Sequence, residues 1–307
     1  MGRSALLVAN RSKPEVVRAL PEVRAIIERH TEVVGEVGLD EPIGAGASKA
    51  GLVVVLGGDG TLISQARKFV DMRLPLLGLN FGKLGFLAEF DIEAFRRQAG
   101  TLLGDGELPL RERMLIEAEA RSEGAYPTAP PKFSGLAVNE CVITAGPPYR
   151  MIDLEISIDG ETGPRLNGDG VIVSTPLGST AYNVSAGGPI VSPDVRAMII
   201  MPLAAHSLSF RPIVLSHASR IEVRVARANR PQSPADAWGT SLVLDGQLSA
   251  PLSQGDVVAL RKHEKPALFV INRETNHWRT LMRTMHWAAT PGPRSDGLGS
   301  VGESRPG

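Results

Sequence analysis

The junction between the aliphatic run Leu52–Leu56 and the sequence GGDGT that follows it constrains the fold more than any other feature of the chain. A strand without polar residues is typical of a parallel sheet covered by helices on both faces. The next segment, Thr61–Val70, places its apolar residues on one helical face, with Gln65, Arg67 and Lys68 outside. This order predicts a glycine-rich turn at the carboxyl edge of a sheet, where α/β proteins bind ligands.

Two kinds of hydrophobic pattern divide the rest of the chain. In the first part, strands are predicted at Ser4–Ala9 and Leu74–Leu79 and a helix at Val16–His30. From about Leu110 apolar and polar residues alternate, as in Met151–Ile158, which is the period of a strand. Further strands are predicted at Leu136–Ile143, Val171–Ser174, Ile213–Leu215, Ile221–Val225, Leu242–Leu244, Val257–Leu260 and Leu268–Ile271.

These patterns predict two domains. Residues 1–109 form an α/β N-terminal domain with a parallel sheet, and residues 110–272 form a β-rich, mostly antiparallel C-terminal domain. The helical pattern of residues 273–288 predicts a C-terminal helix that packs back on the first domain. Residues 289–307 are rich in Gly and Pro and poor in apolar residues, so we expect a disordered tail.

The charge balance and the cysteine content argue against several functional classes. The chain has 33 basic and 33 acidic residues, so no general positive field attracts nucleic acid or an anionic membrane, and a small-molecule partner is favoured. Cys141 is the only cysteine, which excludes an intramolecular disulfide and fits a reducing compartment. No apolar run reaches the roughly 18 residues of a membrane helix, and we expect a cytoplasmic protein. The 6 histidines show no metal-binding spacing, and no metal ligands are assigned.

The GGDGT turn combines a phosphate-binding geometry with a carboxylate. Gly57, Gly58 and Gly60 allow backbone N–H groups to approach an anion, and the following helix adds the positive end of its dipole, so with Thr61 they form a predicted phosphate-donor loop. Asp59 repels phosphate, and we interpret it as a proton acceptor for a hydroxyl group or as a magnesium ligand. The structural alternative is a tight turn in which Thr61 caps the helix and Asp59 only forms the turn.

Two later segments also carry polar residues in unusual places. The sequence NGDG at residues 167–170 precedes Val171–Pro193, a run of small hydroxyl residues and glycines in which Tyr182 could stack on a base. Asn139 and Glu140 lie within the apolar sequence LAVNECVI, where an adjacent amide and acid need partners. Since side chains alternate along a strand, both can reach one ligand only at a bulge or a strand end, and a structural role is equally open.

Together these motifs resemble the NAD kinase family, also called inorganic polyphosphate/ATP-NAD kinases. The resemblance covers nearly the whole chain before the tail, in VVVLGGDGTL, NFGKLGFLAEF (Asn80–Phe90), VNE (Val138–Glu140), NGDGVIVSTPLGSTAYNVSAGGPIVSP, HSLSFRPIVL (His206–Leu215) and LDGQ (Leu244–Gln247). One departure is Leu177, which stands where the family usually has threonine in STPTGST.

The resemblance implies transfer of the terminal phosphate of ATP, or of polyphosphate, to the 2′-hydroxyl of the adenosine ribose of NAD. It implies a divalent metal ion, with magnesium expected, and assembly into a homodimer or homotetramer. Asp59 matches the family's proton acceptor. The implied NAD contacts are Asp59, Gly60, Asn139, Glu140, Arg150, Asn167, Asp169, Thr180, Ala181, Tyr182, Asn183, Val184, Ser185 and Gln247.

Two other functions are compatible with part of this sequence. A lipid kinase of the diacylglycerol or sphingosine type shares GGDGT, but it leaves Asn139, Glu140 and the Val171–Pro193 run without a role. A non-catalytic NAD-binding regulator is the second alternative, and the intact Asp59 argues against it.

Overall fold

The computed structural model describes residues 2–82, 85–126, 128–230 and 239–285. Its helices are α1 (Pro14–Glu28), α2 (Asp59–Phe69), α3 (Ile92–Leu103), α4 (Tyr182–Ser185) and α5 (His277–Met285). Its strands are β1 (Ala5–Ala9), β2 (Val33–Gly38), β3 (Leu52–Leu56), β4 (Leu76–Leu79), β5 (Leu110–Arg113), β6 (Ile116–Arg121), β7 (Phe133–Ala137), β8 (Glu140–Thr144), β9 (Ile152–Ile158), β10 (Glu161–Gly168), β11 (Gly170–Ser174), β12 (Ala197–Leu203), β13 (Ile213–Ser216), β14 (Ile221–Arg227), β15 (Thr240–Leu244), β16 (Leu248–Leu252), β17 (Val257–Lys262) and β18 (Ala267–Val270). The predicted tail at residues 289–307 lies outside the described residues.

The first sheet confirms the predicted parallel α/β arrangement. Its strand order is β2-β1-β3-β4-β18-β5, in which the pairs from β2 to β18 are parallel and β5 is antiparallel to β18. Strand β3 is buried on both faces, because Leu52, Val54 and Leu56 pack with α1 and α3 while Val53 and Val55 pack with α2. The sheet therefore points the carboxyl end of β3 at the start of α2.

The face of α2 predicted to be outside is only partly exposed. Gln65 is 1% exposed, and the side chain of Arg67 is 11% exposed because it pairs with Asp245 from the C-terminal part of the chain. The prediction that these two residues lie outside was wrong, since a helical pattern does not show that a second domain covers the polar face.

Two strands from the range 110–272 belong to the first sheet. Strands β5 and β18 pair with each other, and β18 also pairs with β4. Short strands such as these carry too little periodicity to indicate which sheet they join. Strand β5 follows α3 before the chain enters the C-terminal part, and β18 returns the chain to the first sheet before α5.

The C-terminal part is β-rich and antiparallel, as predicted, and its strands form two packed sheets. One sheet has the order β10-β9-β14-β17-β6-β7 and the other β13-β12-β11-β8-β15-β16. Inward-facing residues of both sheets, such as Leu154 and Val223 from the first and Ile143 and Leu242 from the second, form one apolar core. The alternating burial of β9 and β14 explains why their sequences alternate.

The predicted single strand Leu136–Ile143 is two strands. Strand β7 ends at Ala137 in one sheet and β8 begins at Glu140 in the other. Val138 and Asn139 form the crossing, and their N–H groups bond to a side chain instead of to a neighbouring strand. Asn139 and Glu140 therefore lie at a strand end, which was one of the two arrangements that would let both reach a ligand.

The closing segment packs on the first domain, consistent with the predicted returning helix. Asn272 donates from its backbone N–H to Glu89 at 2.9 Å, and Gln98 of α3 donates to Asn272 at 3.0 Å. His277 lies against Phe86, with ring centroids 5.8 Å apart. None of the helices that the structure describes is long and apolar enough to cross a membrane.

Candidate active site

Asp59 is held by a segment that follows it by almost thirty residues. It is the first residue of α2, and its Oδ2 accepts the N–H of Phe86 at 2.8 Å, while its Oδ1 accepts those of Leu87 at 3.2 Å and Ala88 at 2.9 Å. The start of α2 has no side-chain cap. The carboxylate is thus fixed by three backbone amides from the NFGKLGFLAEF motif and does more than form a turn.

The carboxylate borders a cavity of about 340 Å³ at the carboxyl end of β3. Gly57 and Gly58 of the predicted phosphate-donor loop and Asp59 form one wall, and the remaining lining residues are Lys13, Glu15, Asn80, Phe81, Gly82 and Gly85. A Cβ on Gly85 would lie 2.2 Å from Oδ1 of Asp59, so only glycine leaves room for the carboxylate.

The side chain of Thr61 packs against the glycine turn. It is 8% exposed, and its hydroxyl oxygen accepts a hydrogen bond from Asn10 at 3.2 Å. A Cβ on Gly57 would lie 2.5 Å from this hydroxyl oxygen, which explains the need for glycine there. Thr61 therefore shapes the loop and is not among the residues that line the cavity.

Lys13 is a cavity residue that the sequence analysis did not single out. It precedes α1, whose first residue is Pro14, and its ammonium group would lie 3.8 Å from a Cβ on Gly58. A cation at this distance from the glycine turn can pair with an anion bound there. The only local signal was that Lys13 follows the predicted first strand, Ser4–Ala9. The carboxyl end of this strand lies at the same sheet edge as GGDGT, because β1 and β3 are parallel.

The segment Val138–Glu140 is organised around the carboxylate of Asp245. Its three successive N–H groups bond to Asp245 at 2.9, 2.7 and 3.1 Å. The carbonyl of Asn139 accepts the N–H of Thr175 at 2.8 Å, and a Cβ on Gly178 would lie 2.1 Å from that oxygen. The backbone of Asn139 is therefore engaged on both sides.

Glu140 is a buried acid with a raised pKa. The residue is 6% exposed, and its Oε2 has no hydrogen-bond partner within the described part of the chain. Burial, and then the negative charge of Asp245, raise the pKa of Glu140 to about 7, against the effect of a hydrogen bond from the backbone of Tyr182. Near neutral pH this carboxyl group can therefore either donate or accept a hydrogen bond.

A second cavity, of about 300 Å³, brings together two of the predicted NAD contacts. Asp169 and Tyr182 line it together with Tyr149, and its other lining residues are Thr144, Ala145, Leu203 and Ala204. Tyr149 is 74% exposed and was missed by the sequence analysis, which singled out its neighbour Arg150. Arg150 is not among the lining residues, and its carbonyl accepts a hydrogen bond from Asn229 at 2.7 Å.

Some predicted contacts form structural hydrogen bonds and line neither of the two cavities described above. Asn183 is fully buried, and its amide donates to the carbonyls of Ser179 and Pro189 at 3.0 Å each. The amide of Asn167 donates to Asp153. Thr180 donates to the carbonyl of Leu177, and Ala181, Val184 and Ser185 continue this turn into α4.

Gln247 and Gly60 lie together, although they are far apart in sequence. The Gln247 amide donates to the carbonyl of Gly60 at 2.9 Å. Leu177, the departure from the family pattern, is 6% exposed and packs in the same core cluster as Val138. This departure therefore does not touch either cavity.

Family models match the two parts of the chain. The ATP-NAD kinase N-terminal domain matches residues 40–107, and the ATP-NAD kinase C-terminal domain matches residues 138–271. The NAD kinase of Desulforamulus reducens is 38% identical over 229 residues, which cover 75% of each chain. The NAD kinase of Rhodopirellula baltica is 33% identical over 278 residues, which cover 90% of this chain and 84% of that one.

Solved structures show the same fold. Yeast NADH kinase complexed with NADH superposes with a TM-score of 0.77 at 24% identity, over 94% of this chain and 88% of that one. An NAD kinase from Archaeoglobus fulgidus in complex with ATP gives a TM-score of 0.68 at 26% identity, over 92% of this chain and 97% of that one. These comparisons do not favour the lipid kinase or the non-catalytic regulator.

Proposed function

Because the chain belongs to the NAD kinase family, we propose that Asp59 accepts the proton of the 2′-hydroxyl on the adenosine ribose of NAD. The observation that carries this role is the position of its carboxylate, which borders the glycine-lined cavity and is held there by three amides. Oδ2 accepts one N–H and Oδ1 accepts two, so Oδ2 keeps a lone pair for the hydroxyl. Proton transfer to a fixed base makes the ribose oxygen a better nucleophile.

The phosphate donor is proposed to be ATP, bound in the cavity beside Gly57 and Gly58. The relative from Archaeoglobus fulgidus was solved in complex with ATP, which supports this donor over polyphosphate. Lys13 is proposed to pair with the donor phosphates, while the backbone of the glycine turn and the start of α2 favour their negative charge. In phosphoryl transfer such positioning and charge stabilisation provide most of the catalysis.

A magnesium ion is proposed to enter with ATP. Among the described residues, no group of three or more His, Cys, Asp or Glu side chains converges as a metal site. Glu15 lines the donor cavity, and magnesium is commonly bound through one or two carboxylates plus substrate phosphates. The Glu15 carboxylate fits such an ion, which would neutralise the charge on the transferred phosphate, while Asp59 keeps its free lone pair for the hydroxyl.

The acceptor NAD is proposed to lie along Asn139, Glu140 and the second cavity. The unpartnered Oε2 of Glu140 offers a buried hydrogen-bonding group, and Asp169 and Tyr182 line the adjoining pocket. Tyr149 faces the same pocket, so we propose that it forms an aromatic wall together with Tyr182. The structural relative complexed with NADH supports dinucleotide binding in this fold.

The chain is also proposed to be a cytoplasmic homo-oligomer. Strand β13 is an edge of its sheet, and its residues Ile213 and Val214 are 46% and 51% exposed. An apolar edge strand can pair with a second copy of the same chain. The single cysteine supports a reducing compartment.

The experiment is to incubate the purified protein with NAD, ATP and magnesium and to measure NADP with an NADP-specific dehydrogenase. Formation of NADP is expected, and Asp59→Asn is expected to lower kcat by about 10²–10⁴. Phosphorylation of diacylglycerol without NADP formation would reject the proposed activity. Full activity of the Asp59→Asn variant would reject only the role of Asp59.

A further inference from the structure

A buried ion pair connects helix α2 to the segment that is proposed to bind NAD. The side chain of Asp245 is 0% exposed, and that of Arg67 is 11% exposed. Arg67 Nη1 lies 2.5 Å from Asp245 Oδ2, the same oxygen that accepts the N–H of Val138. A single carboxylate thus bonds both to α2 and to the start of the segment Val138–Glu140.

The same arginine is also connected to the residue that follows Asp59. Arg67 Nη2 donates to Gln247 Oε1 at 2.5 Å, and Gln247 Nε2 donates to the carbonyl of Gly60 at 2.9 Å. Arg67 therefore bonds to both polar side chains of the Asp245-Gly246-Gln247 turn. The hydrogen bonds form a continuous path from the amino end of α2 to the NAD-binding segment.

Asp245 bonds to the segment Val138–Glu140 through both its backbone and its side chain. Asp245 and Gly246 have φ of +51° and +65°, as in the Asp-Gly turns that commonly join two antiparallel strands. The N–H of Asp245 donates to the carbonyl of Glu140 at 3.0 Å, so its backbone and its side chain both bond to the same segment.

We propose that Arg67 and Asp245 are positioning residues that hold the NAD-binding segment Val138–Glu140 in fixed register with Asp59. Neither residue lines either cavity, so both act through the groups that they hold. The inference rests on the roles proposed above for Asp59 and Val138–Glu140.

The chemistry of the pair fits positioning better than stability. A buried ion pair gives up the hydration of both charges, and well-packed apolar residues can be at least as stabilising. The planar guanidinium group, in contrast, holds two acceptors at fixed angles, here the Asp245 carboxylate and the Gln247 amide oxygen. Lysine can replace its charge but not this geometry.

The test compares steady-state kinetics of the full chain and its variants. Arg67→Met is expected to lower kcat for NADP formation about 10- to 100-fold and to raise KM for NAD, while KM for ATP stays within about twofold, because misplacement of reacting groups by about 1 Å costs this much. Arg67→Lys is expected to recover part of kcat. Arg24→Met is the matched control, since Arg24 forms an ion pair with Glu36 at 2.6 Å elsewhere in the first domain.

A double variant separates coupling from two independent defects. Asp245→Asn places an amide NH₂ where Arg67 and Val138 both donate, so it breaks the same connection. The Arg67→Met/Asp245→Asn double variant is expected to be no slower than the worse single variant. Multiplication of the two single losses would overturn the proposal, because it would show that the residues act separately.

Two further measurements distinguish a loss of folded protein from a loss of geometry in the site. Each variant is assayed below the onset of its own thermal unfolding, and loss of activity that follows loss of folded protein, with unchanged KM for NAD, would overturn the proposal. Gln247→Ala removes the connection between Arg67 and Gly60 without removing a charge. It is expected to lower kcat less than Arg67→Met does. If Asp59→Asn abolishes activity while Arg67→Met does not, the positioning role fails and the proposed site stands.

Discussion

The buried carboxyl group of Glu140 gives a quantitative test of the electrostatics of the site. Burial and the charge of Asp245 raise its pKa from 4.5 to about 7. In the unfolded chain Glu140 has the ordinary value, so between these two pH values the folded state holds a proton that the unfolded state has released. The stability of the folded state therefore falls as the pH rises through this interval, and levels off above about 7.

The size of the effect follows from the pKa difference. At about 1.4 kcal/mol for each pH unit, a rise from 4.5 to about 7 corresponds to about 3 kcal/mol. Glu140→Gln keeps the shape of the side chain but cannot ionise. We expect the variant and the parent to be almost equally stable near pH 4.5, and the variant to be more stable by up to about 3 kcal/mol at pH 8.

Urea denaturation of both proteins at pH 4.5 and pH 8 measures this difference. The free energy of unfolding is extrapolated to water at each pH, and the variant-minus-parent difference is compared between them. Glu161→Gln, in the exposed residue at the start of β10, is the control and should show no such change. A difference that stays constant or shrinks as the pH rises would refute the assignment of a raised pKa to Glu140.

Three further variants test separate parts of the site. Gly85→Ala would place a Cβ 2.2 Å from Oδ1 of Asp59 and should lower kcat about 100-fold, whereas Gly44→Ala, with nothing within 4 Å, should have no effect. Lys13→Met should raise KM for ATP by about tenfold or more and leave KM for NAD unchanged, because a charged hydrogen bond to phosphate contributes about 1.5–3 kcal/mol. Tyr182→Ala should raise KM for NAD and leave KM for ATP unchanged, since stacking on a base contributes about 1–3 kcal/mol. For either variant, equal changes in both KM values would contradict the assignment.

The fold could be predicted wherever burial leaves a local pattern. Strand β3 was predicted with its observed bounds, Leu52–Leu56, because both of its faces are covered and every side chain is apolar. The crossing at Val138 and Asn139 could not be predicted, because the residues on both sides are apolar and the interruption comes from Asp245, about a hundred residues later. Contacts at this sequence separation leave no periodic signal.

The site was predictable to the extent that its residues lie in local motifs. The spacing of GGDGT indicated that Asp59 would lie at a sheet edge, but not that amides of residues 86–88 would hold it. Arg67 was interpreted as an outward-facing residue because it lies on the polar side of α2. Its partner, Asp245, lies in the turn that follows β15, so only the packing of the two domains reveals a positioning role.

Asp59 and Asp245 show the same arrangement in two different settings. In each, one N–H bonds to Oδ2 and the next two N–H groups along the chain bond to Oδ1. The settings differ in the second contact of Oδ2. In Asp245 this oxygen also bonds to Arg67, whereas in Asp59, which lines the donor cavity, it accepts only the N–H of Phe86 among the described residues. A carboxylate whose lone pairs are all used in hydrogen bonds can only position the groups that it bonds, whereas one with a free lone pair can accept a proton. This difference explains why Asp59, and not Asp245, is assigned as the proton acceptor.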